Sequence, residues 1–144
     1  MKHGILKAAA AAVALCLAGW SAAADPEINA NADGVMLHGY APVAYFDDGP
    51  TLGDSRLTAD YDGGVYHFAS EVNLRRFLDD PAAFAPKFGG YCAFGVRMGR
   101  KFDIDPTAFH IADDTLYVQL NHATRQRWMA DLDENIEIAD VLWT

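Results

Sequence analysis

The sequence predicts an α+β fold, namely a small single domain built from two β-hairpins with several short helices. Two pairs of short runs rich in β-branched and aromatic residues are each joined by a turn of glycine or aspartate. Each pair is followed by a residue of the helix-capping type and then by apolar residues at helical spacing. The order strand, strand, helix therefore occurs twice, without a detectable sequence repeat.

Residues 1–24 have the features of a cleavable signal peptide. Two lysines and an apolar run over residues 8–18 precede three alanines at 22–24. The run is shorter than the roughly 18 apolar residues of a membrane span. We therefore expect cleavage after Ala24, a periplasmic or secreted location, loss of Cys16 with the signal peptide, and no membrane insertion afterwards.

Composition limits the classes of partner. Cleavage would leave 120 of the 144 residues and move the formal net charge from −9 to −11, because two lysines are lost and no acid is. This length suits one domain with one modest core. The acidic balance disfavours nucleic acid and anionic membranes, since both attract clustered Lys and Arg.

The first segment of the expected mature chain is polar. Residues 25–34 show no hydrophobic periodicity and are predicted to form an extended arm, with the domain proper over residues 35–144. Pro42 is placed to open a helical turn over residues 42–46, because proline suits the first positions of a helix. Glycine and proline then predict a loop over residues 47–55.

The first hairpin is predicted over residues 57–61 and 65–68. The glycines of the connection over residues 62–64 tolerate the positive φ angles that a tight hairpin requires.

Ser70 is placed to cap the helix that follows the first hairpin. Spacing predicts that the helix buries Leu74, Phe77 and Leu78. Pro81 is predicted to start a second short helix over residues 81–84.

The second hairpin is predicted over residues 108–112 and 115–120, with two aspartates as its turn. Asn121 is placed to cap a helix over residues 122–132. A closing amphipathic helix follows. Residues expected to pack inward from these last helices are Trp128, Ile136, Ala139, Val141, Leu142 and Trp143.

Residues 88–95 surround Cys92, the cysteine expected to remain in the mature chain, with glycine and aromatic residues. An unpaired thiol in an exported protein is buried and inert, bound to a ligand, or reactive. A thiolate is a good Cu(I) ligand, and the adjacent glycines Gly89 and Gly90 would let a ligand approach the backbone closely. Reactivity would require a positively charged neighbour. The candidates are Arg97, Arg100 and Lys101.

Several motifs resemble the YHS domain family, and in particular its exported single-domain bacterial members. The segment Tyr66-His67-Phe68-Ala69-Ser70 is similar to the motif that names the family. Residues 39–46 and 89–93 extend the similarity, which covers residues 35–143. The remaining matching positions are Phe77, Asp80, Pro81, Phe84, Leu116, Tyr117, Trp128, Ala139 and Trp143.

The resemblance implies a metal-related binding module, because the wider YHS group includes metal-binding modules attached to heavy-metal-transporting ATPases. Those modules and related zinc domains carry two cysteines, at positions held here by Ala69 and Asn73. A closed structural zinc site needs four Cys or His ligands. The resemblance therefore predicts a YHS, treble-clef-like fold without the full metal-ligand set.

Candidate metal ligands are the soft and borderline donors of the domain. Cys92 with His67 is the pair expected to hold Cu(I) or Zn(II), and His38, His110 and Met98 are the further donors. None lies at a spacing that dictates a site, so a structural role for each is the alternative.

A small-ligand pocket is the other candidate site. Tyr40, Tyr45, Tyr91 and Phe94 would supply apolar walls with hydroxyl groups, or would form ordinary core.

Three function classes follow. The first is a binding module for a soft metal such as copper, and the second is a protein-interaction or small-ligand module in which Cys92 is structural. The third is a thiol-dependent enzyme, which the sequence supports least. The sequence has no nucleophile elbow, phosphate loop or dinucleotide fingerprint.

Overall fold

The computed structural model describes residues 27–143, so the predicted signal peptide over residues 1–24 lies outside the described residues. The described chain contains two separate antiparallel hairpins, five α-helices and three short 3-10 helices, which confirms the predicted α+β class. None of these helices is long and apolar enough to span a membrane. In chain order the elements are β1 (Asp54–Tyr61), β2 (Gly64–Phe68), α1 (Glu71–Asp79), α2 (Pro81–Phe84), α3 (Ala93–Arg97), β3 (Asp105–Ala112), β4 (Thr115–Gln119), α4 (His122–Ala130) and α5 (Leu132–Leu142).

The β1–β2 hairpin turns on two residues with positive φ, Asp62 at 51° and Gly63 at 89°. This geometry matches the right-handed twist of the strands that it joins. Gly64, expected in the turn, is the first residue of β2 and pairs with Tyr61. Alternation along β2 buries Tyr66 and Phe68 and leaves His67 half-buried on the other face.

Helix α1 begins as predicted, because the Ser70 hydroxyl accepts a hydrogen bond from the Asn73 amide at 3.1 Å. Phe77 is fully buried and Leu74 is half-buried. The expectation that Leu78 faces the core is wrong, since 57% of it is exposed. The buried stripe is centred on Phe77, and Leu78 lies about 100° farther around the helix.

The β3–β4 hairpin turns on Asp113 and Asp114, whose φ angles are 48° and 60°. The Asn121 side chain then accepts the Thr124 amide at 2.8 Å, which confirms the predicted cap of α4. Helix α4 ends at Ala130, earlier than predicted, because Asp131 leaves the helical conformation before α5 begins.

Helix α5 buries Ala139 and the polar Asn135. The predicted inward packing of Val141 and Leu142 is wrong, since 68% and 50% of them are exposed. Val141 lies about 200° around the helix from Ala139, on the opposite side. Leu142 lies in the last turn of the helix.

Two groups of buried side chains form the core. The first joins both hairpins to α1, and its largest fully buried members are Phe68, Phe77, Met36, Leu37 and Leu116. The second holds α3, α4 and α5 against β4 and is centred on Trp128. Trp143 packs against the second group at half burial.

Residues 27–34, part of the segment predicted as an extended arm, lie against the domain. The Asn29 amide donates to the Gly89 carbonyl at 2.8 Å, and the Tyr91 hydroxyl donates to the Ile28 carbonyl at 3.1 Å. Ile28 packs against the first core group. This segment therefore covers the turn that contains Gly89.

Candidate functional site

Cys92 is completely buried at the start of α3. Its sulfur accepts a hydrogen bond from the Leu120 amide at 3.1 Å and donates its proton to the Gln119 Oε1 atom at 3.4 Å. The same Oε1 atom accepts the Phe94 amide at 3.0 Å. The thiol therefore connects the N-terminus of α3 to the end of β4.

The surroundings of Cys92 favour its protonated form. Burial raises the pKa of the thiol, and the backbone amides of Gly95, Leu120 and Phe94 oppose this rise. A thiolate is the form that attacks electrophiles and binds metals. The geometry thus suits a structural thiol.

We expect Cys92 to be unreactive in the native protein. Burial and a raised pKa should protect it from a disulfide reagent such as Ellman's reagent, while unfolding in guanidinium should expose it fully. Mass spectrometry of the labelled peptides separates Cys92 from Cys16. Rapid stoichiometric labelling of Cys92 in the folded protein would contradict a structural role.

The other predicted donors take separate roles. His38 pairs through Nε2 with the Asp103 Oδ1 atom at 2.8 Å. Met98 is 55% exposed at the end of α3. The Nδ1 atom of His110 is buried without a hydrogen-bond partner, and burial lowers its pKa.

None of these donors is among the hydrogen-bond partners of the Cys92 sulfur in the described chain. Within residues 27–143, no group of three or more His, Cys, Asp or Glu side chains is arranged to hold a metal ion.

The two positions that carry cysteine in metal-binding relatives have other roles here. Ala69 is exposed after β2. The Asn73 side chain accepts a hydrogen bond from Arg76 at 3.1 Å, and Arg76 also pairs with Asp47 at 2.6 Å. An amide and ion-pair network therefore occupies the position of the second cysteine.

The predicted pocket residues lie in several places. The Tyr45 hydroxyl donates to the Pro106 carbonyl and its ring packs on Phe109, with centroids 5.1 Å apart. Tyr91 is buried, and Phe94 and Tyr40 are half-buried. The two buried tyrosines use their hydroxyls on backbone carbonyls, as core residues do.

A different set of side chains surrounds a cavity of about 310 Å³ beside the β1–β2 turn. The turn, α2, the segment between α2 and α3, and the end of α5 contribute its walls. The lining side chains that bear most on its chemistry are Tyr61, Asp62, Tyr66, Lys87, Phe88 and Trp143.

Tyr66 is the buried polar residue of this cavity. Only 3% of the residue is exposed, and its hydroxyl has no hydrogen-bond partner among the described residues. Burial is the largest cause that raises the pKa of Tyr66. The nearby Tyr61 and the Asp62 carboxylate, which also line the cavity, raise this pKa further. The hydroxyl is therefore the group through which Tyr66 would bond a molecule held in the cavity.

One wall of the cavity depends on a left-handed turn. Phe88, Gly89 and Gly90 have φ angles of 56°, 60° and 78°. A side chain at Gly89 would overlap the backbone carbonyl of Glu27. The glycine thus accommodates the chain's own N-terminal segment, where the sequence suggested room for a ligand.

The model of the YHS domain family matches residues 43–87, so this chain contains a YHS domain over that segment. The match spans the first hairpin, α1 and α2, and it includes Tyr66 and Lys87 of the cavity. No curated protein and no solved structure matches the chain significantly.

Sequence reasoning missed the residues of this cavity. Tyr61 ends β1 and Asp62 opens the turn that the sequence predicts, which could have placed both at one end of the hairpin. Trp143 and Phe88 reach the cavity only through the packing of α5 and the glycine turn. No local pattern could have joined them.

Proposed function

We propose that this YHS-domain protein is a non-catalytic binding module whose cavity around Tyr66 holds a small ligand. The observation that carries the proposal is the Tyr66 hydroxyl, which belongs to a buried residue of the cavity lining and has no hydrogen-bond partner among the described residues. A ligand or an ordered water would supply the missing partner.

The size and lining of the cavity support this proposal. Its volume of about 310 Å³ lies at the lower end of the range for small-molecule sites, which is about 300–1,000 Å³. Aromatic walls supply apolar contact area, and a few polar groups fix orientation. Tyr66 and Asp62 are polar groups of this kind.

We propose binding without catalysis because the cavity lining lacks a nucleophilic cysteine and a histidine to act as its base. Neither histidine nor cysteine is among the described residues that line it. Cys92 lies outside this lining and is engaged with Gln119 and Leu120. Copper or zinc binding at Cys92 is the weaker proposal, since the metal would have to displace both hydrogen bonds and the thiol proton.

Tyr66→Phe is expected to weaken ligand binding without weakening the fold. The change removes a hydroxyl that has no partner in the described protein, so the free energy of unfolding should stay within about 0.5 kcal/mol or rise. Affinity for a small probe that hydrogen-bonds in the cavity should fall about fivefold. Suitable probes are 2-phenylethylamine, 2-phenylethanol and 3-phenylpropionate, measured by NMR titration and urea unfolding.

Tyr45→Phe is the matched control, because its hydroxyl is bound to the Pro106 carbonyl and lies outside the cavity lining. It should lose about 1 kcal/mol of stability and keep its affinity for the probe. The proposal is wrong if none of the three probes binds, or if Tyr66→Phe leaves every affinity unchanged.

A further inference from the structure

The charges around the cavity are not balanced. The Lys87 ammonium lies 3.7 Å from the Asp140 Oδ1 atom, so a neighbouring carboxylate already compensates it. Asp62, in contrast, has no hydrogen-bond or ion-pair partner among the described residues. The hairpin turn fixes its position, since Asp62 occupies the left-handed region at φ 51°.

The aromatic rings that line the cavity belong to two separate groups of packed side chains. Tyr61 and Tyr66 both pack on Phe77, with centroid separations of 5.9 and 5.1 Å. Phe88 packs on Trp143 at 5.8 Å. Lys87 and Lys101 already lie over the Phe88 and Trp143 rings, 5.8 and 5.5 Å from the ring centroids. Because the faces of aromatic rings carry partial negative charge, the Tyr61 and Tyr66 rings are the walls that would attract a cation with apolar substituents.

We infer that the ligand of this cavity is a small organic cation, an amine or ammonium compound with apolar substituents. This inference rests on the proposed function. The ammonium group would pair with Asp62 and donate to the Tyr66 hydroxyl, while the substituents contact the rings. An anion would meet the Asp62 carboxylate and the faces of the two tyrosine rings. The formal net charge of −9 also raises the local concentration of cations.

The test compares three probes of similar size and different charge at neutral pH: 2-phenylethylamine, 2-phenylethanol and 3-phenylpropionate. NMR titration of the protein should give the amine about tenfold higher affinity than the alcohol, with the carboxylate weakest. Asp62→Asn should lower the affinity for the amine to about that for the alcohol. Asp60→Asn is the matched control, because it removes the same charge from an exposed position outside the cavity lining and should leave the preference unchanged.

Ala82→Phe tests whether the probes bind in this cavity. Ala82 is exposed on α2 and lines the cavity. A phenyl ring at this position should block the binding of all three probes. If the alcohol or the carboxylate binds more tightly than the amine and Ala82→Phe blocks it, the inference is overturned and the proposed function stands. If the preference for the amine survives Asp62→Asn, the inference is likewise overturned. If no probe binds, the proposed function itself fails.

Discussion

Phe77→Ala is expected to lower the free energy of unfolding by about 3–5 kcal/mol. Phe77 is completely buried, and its ring contacts Tyr61, Tyr66 and Phe68 at centroid distances between 5.0 and 5.9 Å. Truncation would remove the support shared by both strands of the first hairpin and leave a void that the hairpin cannot fill completely. Urea unfolding followed by circular dichroism measures the change.

Val72→Ala on the same helix is the control, because 58% of Val72 is exposed. Its effect should stay within about 0.5 kcal/mol. A loss below about 1 kcal/mol for Phe77→Ala would show that Phe77 is not the centre of this core group. Because Tyr61 and Tyr66 also line the cavity, the variant should weaken probe binding in the fraction that remains folded.

Gly89→Ala is expected to lower the free energy of unfolding by about 2–4 kcal/mol. Two costs add at this position. The φ angle of 60° is unfavourable for alanine, and the new Cβ would overlap the Glu27 carbonyl. The N-terminal segment would have to move, which would break the hydrogen bond from the Asn29 amide to the Gly89 carbonyl. Urea unfolding and amide exchange at Asn29 measure both effects.

Gly99→Ala separates the two costs. Gly99 has a φ angle of 75° but no neighbour within 4 Å of an added Cβ. It should therefore show the backbone cost alone, about 1–2 kcal/mol, and leave amide exchange at Asn29 unchanged. Equal losses in the two variants would mean that the N-terminal segment does not press on Gly89.

Much of the fold was predictable because local rules decide it. The Asp62 and Gly63 turn and the Asp113 and Asp114 turn both adopt positive φ angles, which their residue types tolerate. Ser70 and Asn121 cap the helices that they precede. In these places the backbone conformation depends on residues adjacent in sequence.

Errors arose where packing partners distant in sequence decide the outcome. Leu78, Val141 and Leu142 have the apolar character of core residues but lie on the outer parts of their helices. Asn135 takes an inward position because its side chain donates to the carbonyls of Arg127 and Trp128 and accepts from Arg97. Its polarity hides this role in the sequence.

The candidate site was the least predictable part of the molecule. Cys92 is the one cysteine among the described residues and the sequence marks it as a candidate ligand, yet Gln119 and Leu120 bind its sulfur from the end of β4. The cavity joins residues from Tyr61 to Trp143, so its existence depends on tertiary packing. That the Tyr66 hydroxyl has no hydrogen-bond partner among residues 27–143 also becomes visible only in the folded structure.

The central claim is that the cavity around Tyr66 is a ligand site, and chemical-shift mapping tests it most directly. Titration of the unmodified protein with 2-phenylethylamine should give saturable shifts confined to the lining, including Tyr61, Asp62, Tyr66 and the Trp143 indole. The amides around Cys92 should stay unchanged. Absence of saturable shifts with this probe and with its alcohol and carboxylate analogues, or shifts centred on Cys92, would contradict the claim.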